Sequence, residues 1–109
     1  MQILHYETAG GKDLIDEYIQ SLTVKERVEI EEFLAHIEEK GMRAIQAEYP
    51  RKTRQIEGKL WEIKISSNRL FYVIIDKDLL AILHACKKQK GKAEKKNIRV
   101  AKERMKEVF

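Results

Sequence analysis

The sequence predicts an α+β protein in which N-terminal helices pack on an antiparallel sheet and a further helix follows at the C-terminus. The sheet is indicated by residues 59–90, KLWEIKISSNRLFYVIIDKDLLAILHACKKQK, where three apolar runs are separated by the polar turns 66–68 and 76–78. The helices are indicated by apolar residues at helical spacing before and after this stretch. Since 109 residues suffice for one core and not for two, we predict a single domain, residues 1–109.

The three apolar runs predict a meander whose strands differ in exposure. In the first run, 60–65, apolar residues alternate with Glu62 and Lys64, so a pleated strand turns its apolar set to one face and its charges to the other. We therefore expect one face to meet the core and the other to be solvated and charged. The runs 70–75 and 79–83 are apolar at nearly every position, which is typical of strands covered on both faces.

The chain begins with a strand and a helix. Residues 2–6 alternate in character and predict a short first strand, which we expect to join an edge of the meander. Residues 13–22 carry apolar side chains at helical spacing and predict a first helix of about two to three turns.

A capping signal predicts the second helix. Thr23 stands three residues before Glu26, the spacing of a reciprocal capping box. We expect the helix to run to Lys40 and to end in a left-handed cap at Gly41. Its glutamates lie mostly away from its apolar stripe, so we interpret them as a solvated face rather than as acid–base pairs. They are Glu26, Glu29, Glu32, Glu38 and Glu39.

The remaining segments complete the predicted fold. Residues 42–49 allow a further helical turn or two before Pro50, and part of the basic segment 51–58 fits a strand. After the flexible basic link 90–92, residues 93–108 have one apolar stripe and predict the terminal helix.

The composition indicates a soluble globular protein, with 43% hydrophobic and 37% charged residues. The longest apolar runs are strand-sized, and residues 1–10 lack a basic region followed by a long apolar stretch. We therefore expect a cytoplasmic protein with no membrane partner. Cys86 is the only cysteine, which suits a reducing compartment, and we expect it to be a small buried hydrophobe.

The charge is distributed unevenly along the chain. Residues 1–48 hold 5 Lys and Arg against 11 Asp and Glu, a net charge of −6. Residues 49–109 hold 17 against 7, a net charge of +10. Such polarity steers a polyanion toward the second half, although a solvated basic surface is the alternative interpretation.

Conventional catalytic and metal-binding patterns are missing from the sequence. His5, His36 and His84 lack metal-ligand spacing. The sequence contains no nucleophile elbow and no phosphate-cradling glycine loop. We therefore expect neither a metal nor a cofactor.

Basic residues converge instead on one end of the predicted meander. Lys64 lies on the polar side of the first strand, Arg69 follows the hairpin turn, and the third strand closes on Lys87 and Lys88. In an antiparallel meander such positions can meet at one sheet end or face. The alternative for Arg69 is an ordinary surface arginine at a hairpin end.

Such a cluster fits cleavage of an RNA phosphodiester, in which the 2′-hydroxyl attacks the adjacent phosphorus. Cationic groups aimed at the phosphoryl oxygens stabilise the negative charge that grows there, and they need no metal. Arg69 is the first candidate because its fork matches phosphate geometry. A lysine crowded by other cations could act as general base or acid near neutral pH; we choose Lys64, with His84 and Glu62 in reserve. A satisfied core histidine is the alternative for His84.

The meander also carries a resemblance to a known family. The string L-W-E-I-K-I, a tight polar turn, R-L-F-Y-V-I-I-D and a strand ending in L-H-A-C-K-K resemble the RelE/HigB superfamily of bacterial toxins, in particular its phage-derived HigB-like branch. The resemblance implies a RelE-like fold and the toxin of a type II toxin–antitoxin system. It implies a ribosome-dependent mRNA endonuclease that inhibits translation, with the ribosome, mRNA and a HigA-like helix-turn-helix antitoxin as partners.

The resemblance also implies roles for individual residues. The family's catalytic cluster uses lysines on the strand matching 60–65, an arginine matching Arg69, and a basic residue matching Lys87 or Lys88. This chain departs from RelE because Glu62 replaces the first of two alternating lysines, and no residue matches the tyrosine after the last RelE strand. We place further RNA contacts at Arg54, Lys59, Glu62, Lys90 and Lys92.

Two other functions remain open at this stage. The same fold serves ParE-like toxins, which bind DNA gyrase and cut no RNA, and it could serve a non-catalytic RNA-binding regulator. The basic cluster at the sheet end favours the nuclease over the gyrase inhibitor.

Overall fold

A computed structural model describes the whole chain, residues 1–109. Five strands and four helices follow in the order β1 Gln2–His5, α1 Leu14–Gln20, α2 Val24–Lys40, α3 Met42–Glu48, β2 Thr53–Glu57, β3 Leu60–Ile65, β4 Asn68–Asp76, β5 Leu79–Lys87 and α4 Lys92–Met105. Each predicted element is present, and part of the basic segment 51–58 does form a strand. None of the four helices combines the length and the apolar character that a membrane span requires.

The five strands form one sheet in the order β1-β5-β4-β3-β2. Strands β2 to β5 make an antiparallel meander, and β1 adds to β5 in parallel, with Ile3 opposite Leu80. The predicted α+β class is confirmed, and so is the joining of β1 to an edge of the meander. The architecture is compatible with a RelE-like fold.

Side-chain caps fix where the first two helices begin. Asp13 accepts hydrogen bonds of 3.0 and 2.8 Å from two N–H groups in the first turn of α1. At the start of α2, Thr23 Oγ1 accepts from the N–H of Glu26 at 3.3 Å. A cap of this kind contributes about 1 kcal/mol. Gly41 ends α2 with φ 87° and ψ 149°, so the left-handed cap predicted there is wrong: φ is positive, but ψ is extended as the chain passes directly into α3.

Both faces of the sheet are covered by helices. Helices α1, α2 and α3 pack on one face around the larger core, which includes Ile30, Ile45 and Ile63. Helix α4 packs on the other face over a smaller core around Phe71 and Leu83. Each fully buried side chain of this size contributes roughly 1.5–3 kcal/mol, so the two cores hold both helical layers on the sheet.

The face under α4 is not the solvated, charged surface that the alternation in β3 predicted. Glu62 is 0% exposed and Lys64 is half-buried. The prediction is wrong because the apolar residues of α4 and of the turn after it, between 98 and 108, must cover a sheet face, and α1 to α3 already occupy the other one. Charged side chains of β3 and β4 are therefore enclosed between the sheet and a helix.

Candidate functional site

The hairpin of β3 and β4 places Lys64 and Arg69 side by side. The two residues are direct cross-strand partners, two positions from a tight turn in which Ser66 has φ 58°. Directly opposed side chains of an antiparallel pair lie on the same face, about 4.5–5.5 Å apart at Cβ. On its other side Arg69 is opposite Cys86 of β5. The structure thus brings together two of the predicted site residues on the face that α4 covers.

Arg69 belongs to a network of two arginines and two glutamates. Glu62 lies between two guanidinium groups: its Oε1 is 3.0 Å from Nε of Arg54, and its Oε2 is 3.5 Å from a terminal nitrogen of Arg69. Neither carboxylate oxygen accepts a hydrogen bond of good geometry, although both are fully buried. Glu62 is therefore held mainly by charge, and both arginines are needed to compensate it.

The fourth member of this arginine–glutamate network comes from α4. Glu94, in the first turn of that helix, accepts hydrogen bonds from Arg69 at 2.9 Å and from Arg54 at 3.1 Å. Both hydrogen bonds lower the pKa of the Glu94 carboxyl below its usual value, and the bond from Arg69 has the larger effect. The network ties α4 to β2, β3 and β4, and it consists of Arg54, Glu62, Arg69 and Glu94.

The expected exposure of this site is corrected by these contacts. Arg69 is only 6% exposed, so it is not the accessible strand-end arginine that the sequence suggested. Glu62 does not reach the surface, where it would contact RNA. The reason for both differences is α4, whose Glu94 supplies a carboxylate to Arg69 while the helix excludes water.

Lys64 is the cation of this region that has no carboxylate partner. Its side chain is half-exposed and makes none of the ion pairs of the structure. Its backbone is fixed, since its N–H donates to the carbonyl of Lys52 at 2.7 Å. A lysine on a fixed strand position, directly opposite Arg69, is therefore available to an anion from solvent.

Lys87 lies on the opposite face of the sheet from Arg69. It is opposite Asn68, whereas Arg69 is opposite the preceding residue, and successive side chains of a strand alternate between faces. The Nζ of Lys87 donates to Glu26 Oε1 at 2.7 Å, and Ser67 donates to the same oxygen at 2.9 Å. The four basic residues predicted to converge therefore share one sheet end, but they do not form one cluster.

The glutamate that holds Lys87 is not part of a solvated face, as the pattern of α2 had suggested. Hydrogen bonds from Lys87, which has the largest effect, and from Ser67 lower the pKa of Glu26 to about 2. Its Oε1 accepts from residues at the ends of β4 and β5, while its Oε2 accepts from the Thr23 hydroxyl at 3.2 Å. Sequence reasoning missed this role because the two partners are 41 and 61 residues away in the chain.

Replacing Glu26 with glutamine gives a pH-dependent loss of stability. Because the folded-state pKa of about 2 is below the ordinary value of 4.5, this carboxylate stabilises the fold above about pH 4.5, and the contribution disappears as the pH falls toward 2. The free energy of unfolding is measured with urea at several pH values. It should be lower for Glu26→Gln than for the natural protein near neutral pH, and the two should become equal as the pH approaches 2. Glu32→Gln, an exposed position on the same helix without an ion pair, is the control. A difference that does not change with pH would contradict this assignment.

His84 connects β5 to α4 through both of its ring nitrogens. Nε2–H donates to Asn97 Oδ1 at 2.7 Å, and Nδ1 faces a terminal nitrogen of Arg104 at 3.3 Å. Burial, together with the positive charge of Arg104, lowers the pKa of His84, so the ring is neutral near pH 7. The ring also stacks on Phe71 with a centroid distance of 6.1 Å. With both nitrogens engaged, His84 has the geometry of a structural histidine.

The remaining predicted residues, Lys88 of the catalytic set and Lys59, Lys90 and Lys92 of the RNA-binding set, are dispersed. Lys88 and Lys90 are exposed on the segment between β5 and α4, and Lys92 is the exposed first residue of α4. The N–H of Lys88 donates to the carbonyl of Ser67 at 2.7 Å. Lys59 lies at the far end of β3, in the turn after β2. The first three lysines are therefore at the junction of β5 and α4, whereas Lys59 is at the other end of the sheet.

Neither a reactive thiol nor a group of metal ligands is found at this site. Burial raises the pKa of Cys86 to about 11, so the thiol is protonated near neutral pH and a weak nucleophile. No three His, Cys, Asp or Glu side chains are grouped as metal ligands. The groups that could act on a substrate here are cationic.

Comparison with known proteins places the chain in a family. The family model described as "Phage derived protein Gp49-like (DUF891)" matches residues 17–106. The matched region contains most of α1 and every later element, and it includes the whole arginine–glutamate network and Lys64. No curated protein matches the chain significantly. Because the match covers most of the sequence, the chain belongs to the Gp49-like family of phage-derived proteins.

Proposed function

We propose that this protein is the toxin of a type II toxin–antitoxin system, and that it inhibits translation as a ribosome-dependent mRNA endonuclease. The observation that carries the proposal is the pairing of Lys64 with Arg69 on one face of the β3–β4 hairpin. Its membership of a phage-derived family and the RelE/HigB resemblance of residues 60–88 support the toxin class. The net charge of +10 on residues 49–109 supports an RNA substrate.

Lys64 is the residue we propose to meet the scissile phosphate first. Lys64 is partly exposed and makes no ion pair, so binding an RNA phosphate to it breaks no ion pair of the free protein. The 2′-hydroxyl attacks phosphorus and loses its proton to water, the bond from phosphorus to the 5′-oxygen breaks, and that oxygen takes a proton from water, which leaves a 2′,3′-cyclic phosphate. Negative charge grows on the phosphoryl oxygens during this step, and a cation at that point stabilises the transition state. The exposed Lys88, Lys90 and Lys92 then extend the positive surface along the message.

Arg69 can bind the scissile phosphate only if the phosphate displaces the Glu94 carboxylate from its guanidinium group. In the free protein the guanidinium group of Arg69 contacts both glutamates of the network. Glu62 is enclosed and stays, whereas Glu94 is 27% exposed on the first turn of α4. An RNA phosphate can therefore replace the Glu94 carboxylate on Arg69 while Glu62 still holds the arginine in position. This exchange gives Arg69 a fixed orientation toward the reacting group.

The partners of the proposed reaction follow from the resemblance. They are the ribosome, the message bound to it, and a HigA-like helix-turn-helix antitoxin that holds the toxin inactive in the cytoplasm. We propose no metal or cofactor, since the charge stabilisation described here is supplied by side chains.

Expression without an antitoxin tests this proposal in cells. We expect growth to stop because intact messages are lost and protein synthesis fails, while the topology of plasmid DNA stays normal. Pulse labelling of new protein, a plasmid supercoiling gel and RNA blots of abundant messages provide the measurements. Expression of Lys64→Ala to the same level is the control and should allow growth.

Each other outcome points to a different function. Growth arrest with changed supercoiling and intact messages would indicate a gyrase inhibitor. Normal growth with abundant soluble protein and intact messages would count against any toxin. RNA binding without cleavage, weakened steeply by salt through counterion release, would indicate an RNA-binding regulator.

A further inference from the structure

A groove lies at the end of the sheet opposite the Ser66–Asn68 turn. It is formed by the turn between β2 and β3, the turn between β4 and β5, and the side of α3. Its volume is about 370 Å³, which is within the range of small-molecule sites. Its polar and aromatic lining consists of Arg43, Gln46, Lys59, Trp61, Asp76 and Lys77. None of these residues belongs to the arginine–glutamate network.

Trp61 provides an aromatic surface in this groove. It is opposite Tyr72 in the β3–β4 pair and packs against the larger core, but its side chain is only half-buried. Since neighbouring side chains of β3 alternate between faces, Trp61 lies on the opposite face from Lys64, roughly 10 Å along the strand. The groove is therefore separate from the proposed cleavage site.

Three cations without carboxylate partners line the same groove as Trp61. Arg43, Lys59 and Lys77 are all exposed, and none of them is in an ion pair. Lys59 lies over the ring of Phe109, with Nζ 4.4 Å from the centroid, so a phosphate in the groove would compete with this cation–π contact. Asp76 is the one acidic lining residue.

The remaining polar groups are oriented by bonds within the protein. Asp76 Oδ1 accepts from the N–H of Asp78 at 2.9 Å, so this carboxylate is tied into the β4–β5 turn. Gln46 Nε2 donates to the Tyr72 hydroxyl at 2.9 Å, which leaves the amide oxygen of Gln46 as an acceptor. The groove thus offers an aromatic side chain, acceptor oxygens on Gln46 and Asp76, and a net positive charge.

We propose that this groove binds an unstacked RNA base on Trp61, with the flanking phosphates on Arg43, Lys59 and Lys77. Stacking on an aromatic side chain together with backbone neutralisation by unpaired cations is how single-stranded nucleic acid is held without a sequence requirement. The choice of RNA as ligand rests on the proposed function. The site itself involves none of the residues proposed for cleavage, and it would anchor RNA on the other face of the sheet.

Intrinsic fluorescence tests the proposal because Trp61 is the only tryptophan of the chain. The probe is a 2′-O-methyl RNA hexamer, which cannot be cleaved through its 2′-oxygens. We expect saturable quenching of Trp61, and about tenfold weaker binding by Arg43→Ala combined with Lys77→Ala. The matched control, Lys95→Ala combined with Lys96→Ala, removes two exposed cations of α4 and should change the affinity by less than about twofold.

A second measurement keeps the test independent of cleavage. Ribosome-dependent message cleavage by the natural protein is measured on the same preparation, because the residue proposed for cleavage, Lys64, is on the other face of the sheet. Absence of quenching at saturating hexamer, or equal losses in both double variants, would overturn the groove as an RNA site. If the natural protein nevertheless cuts messages, the proposed function stands and only this inference fails. Quenching without message cleavage would support the groove and reject the nuclease.

Discussion

Replacing Lys64 with alanine is expected to lower message cleavage by about 10²- to 10³-fold, the usual effect of losing one preorganised donor to a developing oxyanion. The fold should survive because Lys64 is half-exposed and makes no ion pair. Ribosome-dependent cleavage of a defined message, followed on a sequencing gel, measures the loss, and circular dichroism confirms folding.

The control for this variant removes the same charge elsewhere. Lys96 is exposed on α4 and has no carboxylate partner, so Lys96→Ala should reduce cleavage only through slightly weaker binding. Lys102 is a poorer control, since its Nζ pairs with Glu57 at 2.6 Å. Similar small losses for Lys64→Ala and Lys96→Ala would show that a basic surface, and not a site, had been identified.

Arg69 needs a more conservative change. Alanine at this position would leave the buried Glu62 with Arg54 as its only partner, so a loss of activity would be confounded by a loss of stability. Arg69→Lys keeps the charge but removes the planar fork, and so it tests phosphate recognition in a folded protein.

Replacing Glu62 with alanine is expected to destabilise the protein by about 3–5 kcal/mol, the cost typical of breaking a buried ion pair on one side. Glu94 would then be the only carboxylate paired with the guanidinium groups of Arg54 and Arg69. The guanidinium group of Arg69 is nearly inaccessible to water, so water cannot compensate its charge. Urea unfolding gives the free energy of unfolding directly.

Glu57→Ala is the matched control for this second variant. Glu57 is the last residue of β2, and it forms an exposed ion pair with Lys102. Exposed pairs contribute at most about 1 kcal/mol, so this change should have little effect. Equal stability of the two variants would mean that the arginine–glutamate network does not hold α4 on the sheet.

The fold was predictable where apolar residues repeat with a clear period. The alternation in 60–65 and the continuous apolar runs after it predict the meander, and Thr23 marks the start of α2. Those signals are local, and they determine which segments are strands or helices.

The partners of charged residues were not predictable in the same way. Glu62 and Lys64 are two residues apart in β3 and therefore lie on the same face of the sheet. Glu62 is nevertheless enclosed in the arginine–glutamate network, whereas Lys64 is partly exposed to solvent. A period of two assigns a side chain to a face but does not show whether a helix covers that face. Similarly, one position along β5 decides whether a lysine faces α2 or α4, and Lys87 faces Glu26.

One signal for the network was nevertheless present in the sequence. Glu94 is the only acidic residue between Asp78 and Glu103, and it stands among lysines at the start of the terminal helix. An isolated carboxylate in such a basic segment indicates a specific cationic partner. Its partners, Arg54 and Arg69, are 40 and 25 residues away, so only the packing of α4 on the sheet identifies them.

The most direct test of the account is the fate of a defined message incubated with the purified protein, with and without ribosomes. We predict discrete cuts in the ribosome-bound message, no cuts in the same message free in solution, and loss of the cuts in Lys64→Ala. Intact ribosome-bound message in the presence of folded natural protein would contradict the proposal that Lys64 and Arg69 form the site of an mRNA endonuclease.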